Sequence, residues 1–316
     1  SVQIRCTHPP YPRLLDVTMA GDLREAVRWC IPSVLTLGAL LSGLSAVRFA
    51  SEDDFGTAVT CIMLAAVLDG LDGHVARYLG ACSKLGFELD SLCDLANFGV
   101  TPALVVYFWA KALPAQECSS QGCRSEHMWL WLACCAYAGC CAVRLARFNV
   151  AGHAAEMDKQ YLAASPGKQR PPVKKAVWHN FHQRKLYFQG VPAPVAAAYA
   201  ITPIMWHYCI ATLVPERHGW ALGRMATGLT LLFTAVLMVS PLPTFSSKML
   251  KTDRDDTHLR SRHSWALAAK VTCGLLGCGL CWRHPCAVVL FCNLLHLASI
   301  PIAVVVFYTI GTDKGD

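Results

Sequence analysis

The chain has 316 residues, 54% of them hydrophobic and 16% charged, with a formal net charge of +7. Soluble domains carry about 25% charged residues, so this composition excludes an ordinary soluble domain and points to a protein that crosses a membrane many times. The basic residues sit in loops between apolar runs without interleaved aromatic residues; this argues against nucleic-acid binding and for loops lying near anionic lipid.

Residues 1–30 are polar, and Pro9, Pro10 and Pro12 discourage early structure. No cleavable signal peptide is expected, because this stretch has no sustained apolar core. Within it, residues 22–29 set Leu23, Ala26 and Val27 against Arg24, Glu25 and Arg28, the pattern of a short helix lying on the membrane surface. Pro32 then opens a first apolar run over 32–49, and Glu52, Asp53 and Asp54 form an acidic loop. Further apolar runs follow over about 57–79, 85–112 and 128–150, the last ending in Arg144-Leu-Ala-Arg147-Phe-Asn149. Residues 151–187 make the longest polar segment; runs near 191–214 and 221–240 come next. A second basic loop carries Lys248, Lys251, Arg254, Arg260 and Arg262, and runs near 264–281 and 286–310 complete an expected eight helices. The fold expected is all-α, a polytopic helical bundle in the membrane.

Lys and Arg set the orientation. With a cytoplasmic N-terminus, the basic loops 151–187 and 244–263 and the turn at 80–85 all face the cytoplasm, and an even helix count returns the C-terminus there. Seventeen cysteines lie mostly inside apolar runs, where a thiol packs as a small hydrophobe; Cys118 and Cys123 fall in a polar loop and would pair only in an oxidising space. His179 and His182 read as a solvated loop pair, and no Cys/His spacing suits zinc.

The informative stretch is 69–94. Asp69 and Asp72 share a helix face at a spacing of three, as do Asp90 and Asp94 at a spacing of four. A turn holding Gly80, Ser83 and Lys84 separates them, so a hairpin brings Asp72 and Asp90 to similar depth. One Asp at the bilayer centre costs roughly 2.5–3.5 kcal/mol, and four neighbours repel one another. Two divalent cations would cancel the four charges, and oxygen-only ligands suit Mg²⁺ or Mn²⁺. By themselves the paired acids would also permit an ion or proton transporter.

The pattern Asp72-Gly73-x2-Ala76-Arg77-x8-Gly86-x3-Asp90-x3-Asp94, with Asp69 three places upstream, resembles the signature of the CDP-alcohol phosphotransferase family, with no position missing. Residues 31–36, Ile-Pro-Ser-Val-Leu-Thr, resemble that family's Pro-Asn-x-Leu-Thr opening, with Ser33 in place of Asn. The resemblance implies an integral membrane enzyme that displaces CMP from a CDP-alcohol with a hydroxyl nucleophile, which argues against the transporter. It also implies a six-helix core over 31–245, preceded by the 1–30 segment and followed by an addition over 246–316. Asp69, Asp72, Asp90 and Asp94 would hold the metal ions and Asp94 would be the general base. Asp69, Gly73, Ala76, Arg77, Lys84 and Gly86 would bind the CDP group, the small residues letting it approach the helix. His74 falls at an unspecified position of the signature and reads as filler.

Three further stretches, residues 144–149, 188–194 and 243–248, resemble motifs of the phosphatidylserine-synthase branch. This implies CDP-diacylglycerol and L-serine as substrates, membrane lipid as surroundings, and a homodimer. Arg144, Arg147, Asn149 and Lys248 would receive the serine carboxylate or phosphate, although snorkelling cations are the plainer reading of the arginines. Glycerol phosphate, inositol phosphate or choline are the other acceptors the family pattern allows.

Overall fold

The computed structural model describes residues 22–81, 83–113, 120–164, 187–213, 222–245 and 285–312. Helix α1 (Asp22–Ser51) leads into α2 (Phe55–Leu79) through a loop in which Asp54 caps α2, accepting from the Thr57 N–H at 3.1 Å. Gly80 ends α2 in the left-handed region, φ 62°, and donates back to the Ala76 and Arg77 carbonyls. Arg28 of α1 donates to the Leu79 carbonyl at the same end. Ser83 then caps α3 (Lys84–Asp94), its Oγ accepting from the Gly86 N–H at 2.9 Å. The bend expected between the two Asp-bearing runs is therefore a left-handed glycine stop followed by a serine start.

Helix α3 passes through a π-helical turn (Leu95–Val100) into α4 (Thr101–Ala112). Helix α5 (Ser120–Ala164) has 45 residues, about 68 Å of helix at 1.5 Å per residue, and so outruns a hydrocarbon core of about 30 Å. The expected fifth run is two helices, α6 (Ala193–Ala200) and α7 (Thr202–Leu213), broken at Ile201 beside Pro203, whose ring nitrogen cannot donate to the preceding turn. Helix α8 (Arg224–Val239) and, beyond the second basic loop, α9 (Pro285–Thr312) complete the described helices. A three-residue antiparallel ladder, β1 (Tyr187–Gln189) with β2 (Pro243–Phe245), ties together the entries to α6 and the exit from α8.

Among the described residues, five helical stretches are long and apolar enough to cross a membrane: Cys30–Ser51, Phe55–Leu79, Leu85–Ala112, Ser125–Ala154 and Cys286–Val305. Large apolar side chains such as Val34, Leu41, Leu64, Val67, Leu132 and Val236 point outward, as lipid-facing residues do. Small ones point inward: Ala39, Ala46, Ala50, Ala58 and Ala65 are all buried on α1 and α2. Such residues let helix backbones approach closely, which matters where water supplies no hydrophobic drive between helices. The chain is an integral membrane protein, all-α apart from the short ladder.

Polar clasps hold the bundle at three points. Arg224, buried at the start of α8, donates to the Ala110 carbonyl at 3.1 Å and the Leu113 carbonyl at 2.8 Å, and pairs with Glu126 at 3.5 Å. At the α6–α7 break, Asn293 of α9 donates to the Ala198 carbonyl and Thr202 Oγ1, both at 3.0 Å, while Tyr199 Oη meets His296 Nδ1 at 2.6 Å. Beside the ladder, Gly190 donates to the Leu242 carbonyl at 2.9 Å and accepts from Thr244 Oγ1 at 2.9 Å. The expected run at 264–281, Lys248, Cys118, the Cys123 side chain, and His179 and His182 lie outside the described residues.

Gly190 has φ 70°, and a Cβ there would sit 2.5 Å from the Met238 carbonyl oxygen. Gly190→Ala combines a left-handed backbone penalty with that collision, so a loss of about 2 kcal/mol or more is expected. A lowered thermal-unfolding midpoint in detergent checks it.

Candidate active site

The α2–α3 hairpin delivers the acids. One carboxylate oxygen each from Asp69, Asp72 and Asp90 lies within 4.8 Å of the others. Asp72 is 4% exposed, and its Oδ2 accepts a 2.5 Å hydrogen bond from Thr36 Oγ1 of α1, which also lies 3.0 Å from the Pro32 carbonyl. Thr36 thus joins the site from a third helix. It closes the 31–36 opening motif, so its position was visible in the sequence, but a role for its hydroxyl was not.

Asp94, one turn beyond Asp90, stands outside this trio but within hydrogen-bonding reach of Asp69. Its Oδ1 is buried and has no hydrogen-bond partner among the described residues. Across from it, the guanidinium of Arg144 on α5 interacts electrostatically with Asp94, and the Arg144 Nε is likewise buried without a hydrogen-bond partner. An acid and a base therefore face each other inside the bundle, each holding a polar atom in reserve. Buried polar groups are ordinarily satisfied, so these two atoms are candidates for contacts with a polar ligand.

The other expected residues fall as follows. Gly73 has open space around it: an added Cβ would meet only the tip of Arg77, at 3.9 Å. Ala76 is half-buried and Arg77 exposed beside it. Gly86 fits tightly under the Ser83 cap, where a Cβ would lie 3.0 Å from Ser83 Oγ, so its role in the structure is to start α3. Lys84 begins α3, its side chain outside the description.

On α5, Arg147 is exposed and donates to the Val239 carbonyl at the end of α8, at 3.1 Å. Asn149 accepts from Ser91 Oγ at 2.9 Å, next along α3 from Asp90. That seam is continued by His153 against Glu88 at 3.2 Å and by Phe87 beside Phe148, and holds a cleft of about 150 Å³. Of the three described residues expected around the acceptor, Arg144 is the one placed near the acids.

Three clustered carboxylates with only oxygen donors fit a hard divalent cation such as Mg²⁺ or Mn²⁺ better than a soft one. Without a cation, close like charges in a low-dielectric span are strongly unfavourable. The cluster is thus a site whose own chemistry calls for metal.

Residues 29–240 match the sequence profile of the CDP-alcohol phosphatidyltransferase family, about two-thirds of the chain. The chain belongs to this family. Relatives of this CDP-alcohol phosphatidyltransferase homologue include a protein of Mycobacterium tuberculosis (strain H37Rv) named CDP-diacylglycerol–serine O-phosphatidyltransferase. It is 33% identical over 213 residues, which cover 67% of this chain and 60% of the relative. A Mycobacterium leprae protein of the same name is 33% identical over the same length, 57% of that relative. One from Helicobacter pylori (strain J99) is 38% identical over 81 residues, 26% of this chain and 34% of the relative. The chain thus spans about 60% of the length of the mycobacterial relatives it matches.

Asp90→Asn removes one of the three clustered carboxylates. It should weaken Mn²⁺ binding, measured by titration of the purified protein, by more than the roughly 10- to 100-fold that loss of an outer partner costs. Thr36→Val, which deletes only the hydroxyl on Asp72, should fall within that 10- to 100-fold range.

Proposed function

We propose that the protein transfers a phosphatidyl group from CDP-diacylglycerol to the hydroxyl of L-serine, forming phosphatidylserine and CMP. The observation that carries this reading is the half-buried Asp94 and Arg144 beside the acidic trio, each with one buried, unpartnered polar atom. Serine is a small zwitterionic alcohol. Its carboxylate suits the Arg144 guanidinium, which presents a planar fork of donors, and its hydroxyl would then lie toward Asp94. The names of the mycobacterial and Helicobacter relatives support the same donor and acceptor.

In this reading Asp94 takes the proton from the serine hydroxyl. The serine oxygen forms a bond to the phosphorus that carries the diacylglycerol, and the bond from that phosphorus to the CMP oxygen breaks. Asp69, Asp72 and Asp90, with Asp94 alongside, would hold two divalent ions, whose positive charge would offset negative charge on the diphosphate and on departing CMP. The open flank at Gly73 and Ala76 receives the cytidine end, with Arg77 and Lys84 near the phosphates and Gly86 keeping α3 in register. Arg147 and Lys248 serve the mouth of the site, and Asn149 steadies α3 through Ser91.

In this reading the site faces the cytoplasm, because Lys and Arg concentrate in the sequence segments 151–187 and 244–263, which the positive-inside rule assigns to that side. The core over 31–245 does the chemistry, supported by the family match over 29–240, and the addition over 246–316 includes α9.

Purified protein with Mn²⁺ or Mg²⁺ should release CMP from CDP-diacylglycerol only with L-serine among glycerol phosphate, inositol phosphate, choline and serine, and chelation should abolish it. Asp94→Asn should lower kcat by about 10²–10⁴, the range of a general base. CMP release with another alcohol alone would discard serine while keeping the reaction class. Arg144→Ala should raise the KM for serine about tenfold or more, as expected for loss of a charged hydrogen bond, with the KM for CDP-diacylglycerol nearly unchanged. Equal changes in the two constants would remove Arg144 as the carboxylate partner.

A further inference from the structure

The π-helical turn Leu95–Val100 begins directly after Asp94, and at its end the Thr101 N–H bonds back five residues to the Ala96 carbonyl. Its cause is legible in the chain. Pro102 has no N–H, so the Phe98 carbonyl, four residues earlier, loses its ordinary helical donor, and the proline ring crowds that carbonyl. Inside a membrane a carbonyl without a donor is costly. Tyr137 of α5, with none of its surface exposed, supplies the donor: its hydroxyl bonds the Phe98 carbonyl at 2.7 Å.

Tyr137 is one of a row. Residues 137, 141 and 144 share a face of α5 at spacings of four and three. Below Tyr137, Cys141 packs on Gly99 so closely that a Cβ on the glycine would lie 3.2 Å from both Cys141 Cβ and Sγ. Below that, Arg144 interacts electrostatically with Asp94 without a direct hydrogen bond to it. The opposite side of the turn is held as well. Asn97, 1% exposed, packs against Gly43 of α1, where any side chain would collide with it, and Thr101 Oγ1 donates to the Gly43 carbonyl at 3.4 Å. A π turn carries one residue more than an α turn, so it rotates α3 relative to α4 by about the 100° that one residue occupies. Whatever keeps this turn in place also decides which way Asp94 points.

We propose that Tyr137 is a positioning residue for the acceptor end of the site: its hydroxyl holds the π turn and thereby sets Asp94 against Arg144. The inference rests on the phosphatidyl-transfer reading for its kinetic consequence, but the latch itself is a property of the seam between α3 and α5. The flank at Gly73 that would receive the donor nucleotide does not include Tyr137, so CDP-diacylglycerol binding should be insensitive to it.

Tyr137→Phe keeps the ring and deletes only the hydroxyl. The KM for serine should rise about tenfold, the scale of one buried hydrogen bond, while the KM for CDP-diacylglycerol stays within about twofold. Cys141, fully buried beneath the latch, reports on the seam directly. Its alkylation by a membrane-permeant maleimide, resolved by peptide mass spectrometry in the full-length protein, should quicken by about tenfold or more on the same scale. Gly99→Ala opens the seam from the other side and should give the same split, and the double variant should fall short of the sum because both act on one contact.

If Tyr137→Phe raises both KM values together, or lowers the melting midpoint without moving either, the hydroxyl is a structural bond and the positioning role is wrong. Unchanged Cys141 protection overturns the latch whichever alcohol proves to be the acceptor. Quickened alkylation in a protein that does not use serine upholds the latch and discards the serine reading instead.

Discussion

Everything in this protein answers to one constraint: several carboxylates must stand together inside an apolar slab. An isolated acid there is already unfavourable, and a cluster is tolerable only when cations and hydrogen-bond donors surround it. The fold meets that demand by geometry. A tight hairpin between α2 and α3 brings two same-face acid pairs to one level, and α1 adds the Thr36 hydroxyl to Asp72 at 2.5 Å. From the other side α5 brings Arg144. Four helices thus close on a volume that a single helix could never define.

The same constraint explains why the helix bearing Asp90 and Asp94 is irregular. A straight α-helix through Pro102 would leave a carbonyl stranded in lipid or in an apolar core. The π turn and the Tyr137 hydroxyl resolve that problem, and they do so immediately beside Asp94. Strain relief and site assembly are here one structural event. The α6–α7 break has a comparable solution, since Asn293 of α9 serves the Ala198 carbonyl; the helix beyond the family match is thereby part of the bundle rather than a separate anchor.

Much of this was legible beforehand, for definite reasons. Spacings of three and four report which residues share a helix face, so the Asp pairs, the hairpin and most of the apolar runs could be read directly. Spacing along one helix says nothing about which other helix lies opposite. That is why Thr36 had no assigned role, and why Arg144 read no more strongly than Arg147 although the two face the acids and the end of α8 respectively, with Asn149 on Ser91. Pro102 and Pro203 carried the signal for the two interruptions, but a proline in a span is as compatible with a simple kink as with a π turn or a full break. Tyr137 gave no local sign at all, because its meaning depends on a carbonyl 39 residues away.

The alanines lining α1 and α2 have a consequence for how such a protein can change. Interhelical distance depends on the side chains at the crossing, and Ala39, Ala46, Ala58 and Ala65 are buried small residues on the two helices that the Thr36–Asp72 bond joins. These methyl groups hold no charge, bind nothing and take part in no reaction. Adding even one carbon to them would act as a shim, levering the hydroxyl off the carboxylate from a distance. The tolerance of the catalytic centre is therefore written partly in volume, at positions where a chemist would see nothing to conserve.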